Sequence, residues 1–215
     1  AAAERRGLRL RLGTAVDELE AKGEGVRITS TPEGEPARTE AFDAVVVCAG
    51  VASRRFAAQL GDRLNVYPVK GYSITVNLTD EASRAGAPNV SLLDDETKLV
   101  SSRLGADRFR VAGTAEFNGE NRDIRADRIR PLVEWVQQCF PQVSTRSVVP
   151  WAGLRPMMPD LMPRVGPGRR PGVFYNTGHG HLGWTLSAAT AEGVAEAVER
   201  GLTPQRRGVG GLAAA

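Results

Sequence analysis

The chain of 215 residues is poor in the residues that announce a metal centre or a disulfide scaffold. It has two cysteines, Cys48 and Cys139, and two histidines, His179 and His181. Two cysteines make no disulfide framework. No Cys-x-x-Cys or Cys/His cluster supplies zinc ligands, and the histidine pair lacks a third ligand, so no metal is expected. Cys48 stands in an apolar run and is expected to be a small buried filler, with both thiols reduced. No run is long and apolar enough to span a bilayer, and no signal peptide opens the sequence. The expected location is cytoplasmic, with a peripheral contact at the inner membrane left open. An excess of one charge is also lacking: 28 Lys and Arg stand against 25 Asp and Glu, a net charge of +3. The two signs are mixed along the chain, which argues against a nucleic-acid partner despite the many arginines. There is no internal repeat and no long low-complexity segment. Hydrophobic residues make up 41% of the chain, enough to build a core.

What is present reads as alternating strands and helices. Residues 1–6 suggest the end of a helix. Leu8, Leu10 and Leu12 alternate with Arg9 and Arg11, which predicts a strand with one buried face. Residues 16–19 and 25–29 predict two more strands, joined by the turn Lys22-Gly23-Glu24-Gly25, and residues 31–36 a polar turn. Ala44-Val45-Val46-Val47-Cys48 is continuously apolar, as expected of a strand buried on both faces in a parallel sheet. Ala49-Gly50 ends that strand, and residues 53–60 predict a short helix.

From Val66 the character changes. Tyr67-Pro68-Val69-Lys70-Gly71-Tyr72-Ser73-Ile74-Thr75-Val76 has a proline near its start and β-branched alternation after it, which suggests a crossing into a second, mostly antiparallel domain. Residues 79–88 read as a loop. Residues 90–93, 98–102 and 108–113 predict three strands with polar turns between them. After a loop at 119–125, Ile129, Leu132, Val133, Val136 and Phe140 repeat at helical spacing. That helix accepts Pro131 only in its first turn, is stopped by Pro141, and should cover one face of the sheet. Val148 and Val149 begin a strand that carries Trp151 to Arg155. Trp135 and Trp151 are expected in the core. Residues 201–215 read as a loose tail.

One stretch organises the rest. The apolar run Gly172-Val173-Phe174-Tyr175 leads into Asn176-Thr177-Gly178-His179-Gly180-His181-Leu182-Gly183-Trp184-Thr185, and a small-residue helical pattern leaves it. This is a strand, a glycine-punctuated turn and a helix. Glycine permits positive φ and lets a ligand lie against bare backbone, while the helix start offers unpaired N–H groups. Thr185 could cap that helix. The same residues also suit a tight connection that binds nothing.

Upstream lies Trp151-Ala152-Gly153-Leu154-Arg155-Pro156-Met157-Met158-Pro159-Asp160. With the turn at 176–185, the run Val45-Val46-Val47-Cys48-Ala49-Gly50 and the run Tyr67-Pro68-Val69-Lys70-Gly71-Tyr72-Ser73, it resembles the FAD-dependent amine oxidoreductases of the D-amino acid oxidase superfamily. Within that superfamily the likeness is to bacterial D-amino acid dehydrogenases. It runs in order from Gly7 to Arg200. Each motif alone is modest; their shared order is what carries the resemblance.

The resemblance implies a mixed α/β and α+β fold: part of a FAD-binding Rossmann-like domain plus an antiparallel substrate domain with a covering helix. The expected division is residues 1–66 in the FAD domain, 67–150 in the substrate domain, and 151–200 back in the FAD domain. It implies FAD as cofactor, with Ala49, Gly50, Lys70, Gly71, Gly153, Gly180, His181, Leu182, Gly183, Trp184 and Thr185 near it. Arg155 would bind the substrate carboxylate. Tyr72 would line the pocket or serve as a sheet tyrosine, Glu116 could face the pocket, and Met157 and Met158 would line an adaptable apolar side-chain site. The implied reaction is oxidative deamination of D-amino acids, with electrons passing to a quinone or other acceptor. A glycine- or sarcosine-type amine oxidase, or a non-catalytic subunit, is the alternative. The family opens with a GxGxxG turn that holds the FAD pyrophosphate, and this sequence contains none. The expectation is therefore a portion of a longer flavoprotein, or one that meets a second subunit, and weak FAD binding by this chain alone.

Overall fold

The computed structural model describes residues 2–23 and 25–203. Of the expected tail, residues 204–215 lie outside the described residues, while Gly201 and Leu202 are the last residues of a helix. The chain divides into two compact units, Ala1–Val66 with Met158–Ala215, and Tyr67–Met157. The strands are β1 (Thr14–Lys22), β2 (Gly25–Pro32), β3 (Arg38–Phe42), β4 (Val45–Val47), β5 (Tyr67–Asn77), β6 (Leu92–Asp94), β7 (Leu99–Arg103), β8 (Arg108–Phe117), β9 (Val148–Met157), β10 (Arg164–Pro167) and β11 (Val173–Thr177). The α-helices are α1 (Ser53–Gln59), α2 (Glu81–Gly86), α3 (Ala126–Cys139) and α4 (Gly183–Leu202).

In the first unit, β1, β2 and β3 form an antiparallel meander. The sequence offered no strand at β3, because no apolar alternation marks residues that stay exposed on most of their length. Pairing holds it instead: Thr29 lies opposite Thr39, and their hydroxyls are 2.9 Å apart. Conversely, residues 8–12 form no strand. Leu8, Leu10 and Leu12 are 54%, 61% and 80% exposed, and no described strand pairs with them. Alternation makes a strand only where a ladder partner and a face to bury exist. The helix end expected before them is a single 3-10 turn, Glu4–Arg6.

A second sheet has the order β10-β11-β4, with β11 and β4 parallel. The two-residue period puts Val173 and Tyr175 of β11 on the α1 side, with Phe56, Ala57 and Leu60. Phe174 faces the other way, onto Val194 and Ala197 of α4. The expectation that the 44–48 run is buried on both faces is corrected. β4 is an edge strand among the described residues, Val46 is 38% exposed, and Cys48 is exposed rather than a buried filler. Partial desolvation still pushes the Cys48 thiol up. Both thiols are free, so an aromatic disulfide reagent should titrate two per native chain, with the same count before and after reductant and a slow phase at neutral pH from Cys48. A lower count without reductant would show a disulfide.

The second unit is a five-stranded antiparallel sheet, β6-β7-β8-β5-β9, with α3 on one face. Its core is Tyr72, Ile74 and Val76 of β5, Phe109 and Val111 of β8, and Leu132, Trp135 and Val136 of α3. Trp135 is core, as expected, and its indole N–H donates to Asp94 Oδ2 at 2.7 Å. Pro131 falls in the second turn of α3, not the first. The lost backbone bond is outweighed by burial of Leu132, Trp135 and Val136, since packing rather than propensity supplies most helical stability. The expected loop at 79–88 contains α2, capped by the Asp80 carboxylate, which accepts from Ser83 N at 2.7 Å. The chain leaves this sheet after Met157, later than the boundary expected at residue 150. Trp151 is 55% exposed rather than core.

The class is the expected one: α/β layering in the first unit, and an antiparallel sheet under a helix in the second. No described helix is long and apolar enough to cross a membrane.

Candidate cofactor and substrate sites

In the first unit, parallel pairing of β4 and β11 brings their carboxyl ends to one edge. Ala49-Gly50 follows the first strand, and the turn at Gly178–Gly180 follows the second. Open α/β sheets bind ligands outside the carboxyl ends of their strands. A buried hydroxyl chain ties the two ends together. Ala49 N donates to Ser53 Oγ at 3.1 Å, Ser53 Oγ and Thr177 Oγ1 are 2.8 Å apart, and Thr177 Oγ1 donates to Gly50 O at 3.3 Å. With Ser53 donating to Thr177, every proton has one acceptor. Sequence reading passed over Ser53 and assigned Thr177 no role. Their only signal was a hydroxyl shortly after the Ala-Gly end and another at the end of an apolar strand.

The turn is built as its glycines suggested. Gly178 and Gly180 stand at φ +80° and +58°, and a Cβ on Gly178 would lie 2.7 Å from Met158 Cγ. Met158, expected to line an apolar side-chain site, is partly buried and packs against the core of this unit. The helix α4 begins at Gly183 and no side chain caps it. Thr185 lies inside its first turn and does not cap. The first-turn N–H groups therefore point outward without intrahelical acceptors, at the positive end of the helix dipole. Leu182 is 44% and Trp184 94% exposed beside them. His179 Nε2 lies 3.2 Å from Thr190 Oγ1, and burial lowers its pKa. His181 is exposed. Ala49, Gly50 and the residues from Gly180 to Thr185 thus share one sheet edge.

In the second unit, Lys70, Gly71 and Tyr72 lie on β5, and Gly153 and Arg155 on β9. Lys70 and Tyr72 project to one face and are 0% and 1% exposed. Lys70 Nζ donates to Asn121 Oδ1 and to Asp123 O, both at 3.1 Å, and sits 3.0 Å from Glu116 Oε2. Three ammonium protons meet three acceptors. Tyr72 donates to Glu116 Oε2 at 2.5 Å, and Arg125 Nη1 to Glu116 Oε1 at 2.9 Å. The Lys70 side chain, expected beside the cofactor, is turned into a closed network, and Tyr72, for which a pocket wall and a sheet tyrosine were both expected, is part of the same buried sheet face. Desolvation of an ammonium is tolerable only when it is paired in this way. Glu116 does not face an open pocket; it is the hub of this network.

The Tyr72 hydroxyl first, and then Lys70, hold the Glu116 carboxyl down from its ordinary 4.5 to about 2. A depressed folded pKa means that the network's contribution is complete above about pH 4.5 and is lost as pH falls toward about 2. The melting temperature should therefore drop across that window, and Glu116→Gln should flatten the drop. A pH slope unchanged in the variant would assign the acid sensitivity elsewhere.

Arg155 lies on the opposite face, away from α3. Val69 pairs with Arg155 and Gly71 with Gly153. The guanidinium folds back over Gly71, where a Cβ would lie 2.3 Å from Arg155 Cζ. Its Nη1 donates to Thr114 O at 3.1 Å. Thr114 stands in the left-handed region at φ 59°, where the β5–β8 register shifts between Lys70 and Tyr72. No acid pairs with Arg155 among the described residues, and desolvation by burial lowers its pKa. It is a half-buried cation with donors to spare.

These features now have a class. A family model described as FAD dependent oxidoreductase matches residues 1–197, and the chain belongs to that family. Its relatives include D-amino acid dehydrogenase 3 of Mesorhizobium japonicum, 58% identical over 92% of this chain and 47% of that protein. Another is D-amino acid dehydrogenase of Sinorhizobium medicae, 43% identical over 91% of this chain and 45% of that protein. The chain spans about half the length of the curated relatives it matches. Among solved structures, glycine oxidase from Geobacillus kaustophilus is 27% identical with a TM-score of 0.72, over 89% of this chain and 49% of that one. L-proline dehydrogenase from P. horikoshii, 16% identical, shares the fold with a TM-score of 0.77, over 93% of this chain and 53% of that one.

Proposed function

We propose that this chain carries the substrate-binding unit and the ring-side flavin turn of an FAD-dependent D-amino acid dehydrogenase. The proposed reaction is oxidative deamination by loss of hydride from the substrate Cα, for which bound FAD would be the acceptor at N5, and hydrolysis of the imino acid in water gives a 2-oxo acid and ammonia. The observation that carries the reading is Arg155, a half-buried guanidinium without an acid partner among the described residues, laid over a bare glycine. A guanidinium takes a carboxylate by two parallel charge-assisted hydrogen bonds, which fixes orientation as well as affinity. Orientation is what Cα–H transfer demands.

The first unit fits the cofactor. The Ala49-Gly50 end and the backbone from Gly180 to Thr185 would hold its ring side, where small residues leave room and the first-turn N–H groups of α4 suit an electron-rich carbonyl edge. Bound there, FAD supplies the hydride acceptor. Hydride transfer asks for no strong protein base, and His179, bonded to Thr190, is given none. The relatives' description as dehydrogenases supports an electron acceptor such as a quinone, and with it a peripheral contact at the inner membrane.

The likeness to a glycine oxidase supports a second reading, a glycine- or sarcosine-type amine oxidase. Anaerobic addition of D-alanine to the FAD-loaded protein should bleach the flavin absorbance, whereas L-alanine, glycine and sarcosine should not. Bleaching by glycine or sarcosine alone would favour the second reading. A protein that takes up no flavin would favour either a portion of a longer flavoprotein or a non-catalytic subunit.

A further inference from the structure

The face of the second unit turned away from α3 carries more than Arg155. Residues two apart on a strand share a face, so Trp151, Gly153 and Arg155 project together. Gly153 lies directly opposite Gly71 on β5. The Arg155 guanidinium folds over Gly71, with a Cβ there 2.3 Å from Cζ, and the Trp151 indole folds over Gly153, with a Cβ there 2.1 Å from Cη2. Residues directly opposite on antiparallel strands sit about 5 Å apart. The two glycines therefore form a bare patch onto which a cation and an indole fold from either side of Gly153 on β9.

The indole is also held from its other side. The Arg110 guanidinium carbon is 5.5 Å from the Trp151 ring centroid, and Arg110 Nη2 donates to Ser73 Oγ at 3.2 Å. Ser73 is the register partner of Trp151. A cation over a ring restrains it. Yet 55% of Trp151 stays exposed.

We propose that Trp151 is a specificity-determining residue. Its indole walls a subsite for the apolar side chain of a substrate whose carboxylate is on Arg155, and Gly71, Gly153 and Arg110 position the pair. This rests on the carboxylate reading of Arg155. A carboxylate on the guanidinium brings the adjoining side chain toward the indole, and an apolar group gains contact that a methyl group does not reach.

The test compares phenylacetate with acetate, two carboxylates without an α-amine that cannot be deaminated. Each is titrated into the FAD-loaded protein and followed by flavin spectral perturbation. Trp151→Ala should lower the phenylacetate-to-acetate affinity ratio by about threefold to tenfold, the scale of an aromatic contact. Gly153→Ala keeps the indole but displaces it, and should lower the ratio likewise. Trp151→Phe keeps a flat ring and should retain most of it, which separates lost contact from lost folding. Arg155→Met should weaken both acids together and leave the ratio unchanged. A ratio unchanged or raised in Trp151→Ala, beside a normal loss in Arg155→Met, overturns the subsite and leaves the carboxylate reading standing. A Trp151→Phe loss as large as that of alanine also overturns it. Arg155→Met that binds both acids normally removes the carboxylate reading and the subsite with it.

Discussion

On the proposed carboxylate role of Arg155, its replacement with methionine is expected to raise KM for D-amino acids about a hundredfold in the FAD-loaded protein, with a smaller change in kcat. Methionine roughly keeps the stem and volume but removes the charge. The substrate carboxylate then enters a partly desolvated place with no partner, and an uncompensated buried charge costs about 3 kcal/mol or more. The Thr114 carbonyl that holds Nη1 also loses its donor. Primary amines that lack a carboxylate should be oxidised no differently by the variant, because they never used the guanidinium. Steady-state kinetics across both substrate classes reads this directly. Unchanged kinetics for D-amino acids would remove Arg155 from the site.

Phe109→Ala should cost about 3–5 kcal/mol of stability, the range for truncating a large aromatic in a packed core. Phe109 is fully buried near the start of β8 and meets Phe140 edge-on, with ring centroids 5.3 Å apart. Phe140 in turn meets Trp135 at 5.5 Å, so the cavity would open at the seam between sheet and α3. The strand that loses its anchor also carries Thr114 and Glu116, which hold Arg155 and Lys70. Chemical denaturation should show the lost stability, and carboxylate affinity should weaken with it. A variant that unfolds at the wild-type denaturant midpoint would mean that the core closes around the gap.

Much of this chain was legible from residue order because its signals are local. The glycine turn after the 172–175 run, the helical period from Ile129 to Phe140, and the antiparallel strands of residues 67–113 each follow from backbone permissiveness or from a two- or 3.6-residue period. The small cap at Asp80 was equally local and was overlooked. β3 was not legible, because its residues are held by pairing with β2 rather than by an apolar face. The leucine alternation at 8–12 misled for the converse reason: its pattern is that of a strand, but no described ladder receives it.

The sequence by itself determined the mixed fold class, the strand–turn–helix around Gly178 and Gly180, and, through the order of its motifs, the family. The tertiary structure alone decided which side chains meet. Lys70 and Arg155 lie on neighbouring strands and both carry positive charge, yet the pleat sends them to opposite faces. Lys70 closes onto Glu116 and Tyr72, while Arg155 lies over Gly71 with donors free. Strand register makes that difference: a one-residue slip in β9 would exchange its faces and turn Arg155 toward the core. The bulge at Thr114 and the glycine pair at 71 and 153 act through space, between residues forty or more positions apart in the chain. A chemistry that depends on such pairings becomes visible only once the strands are laid side by side.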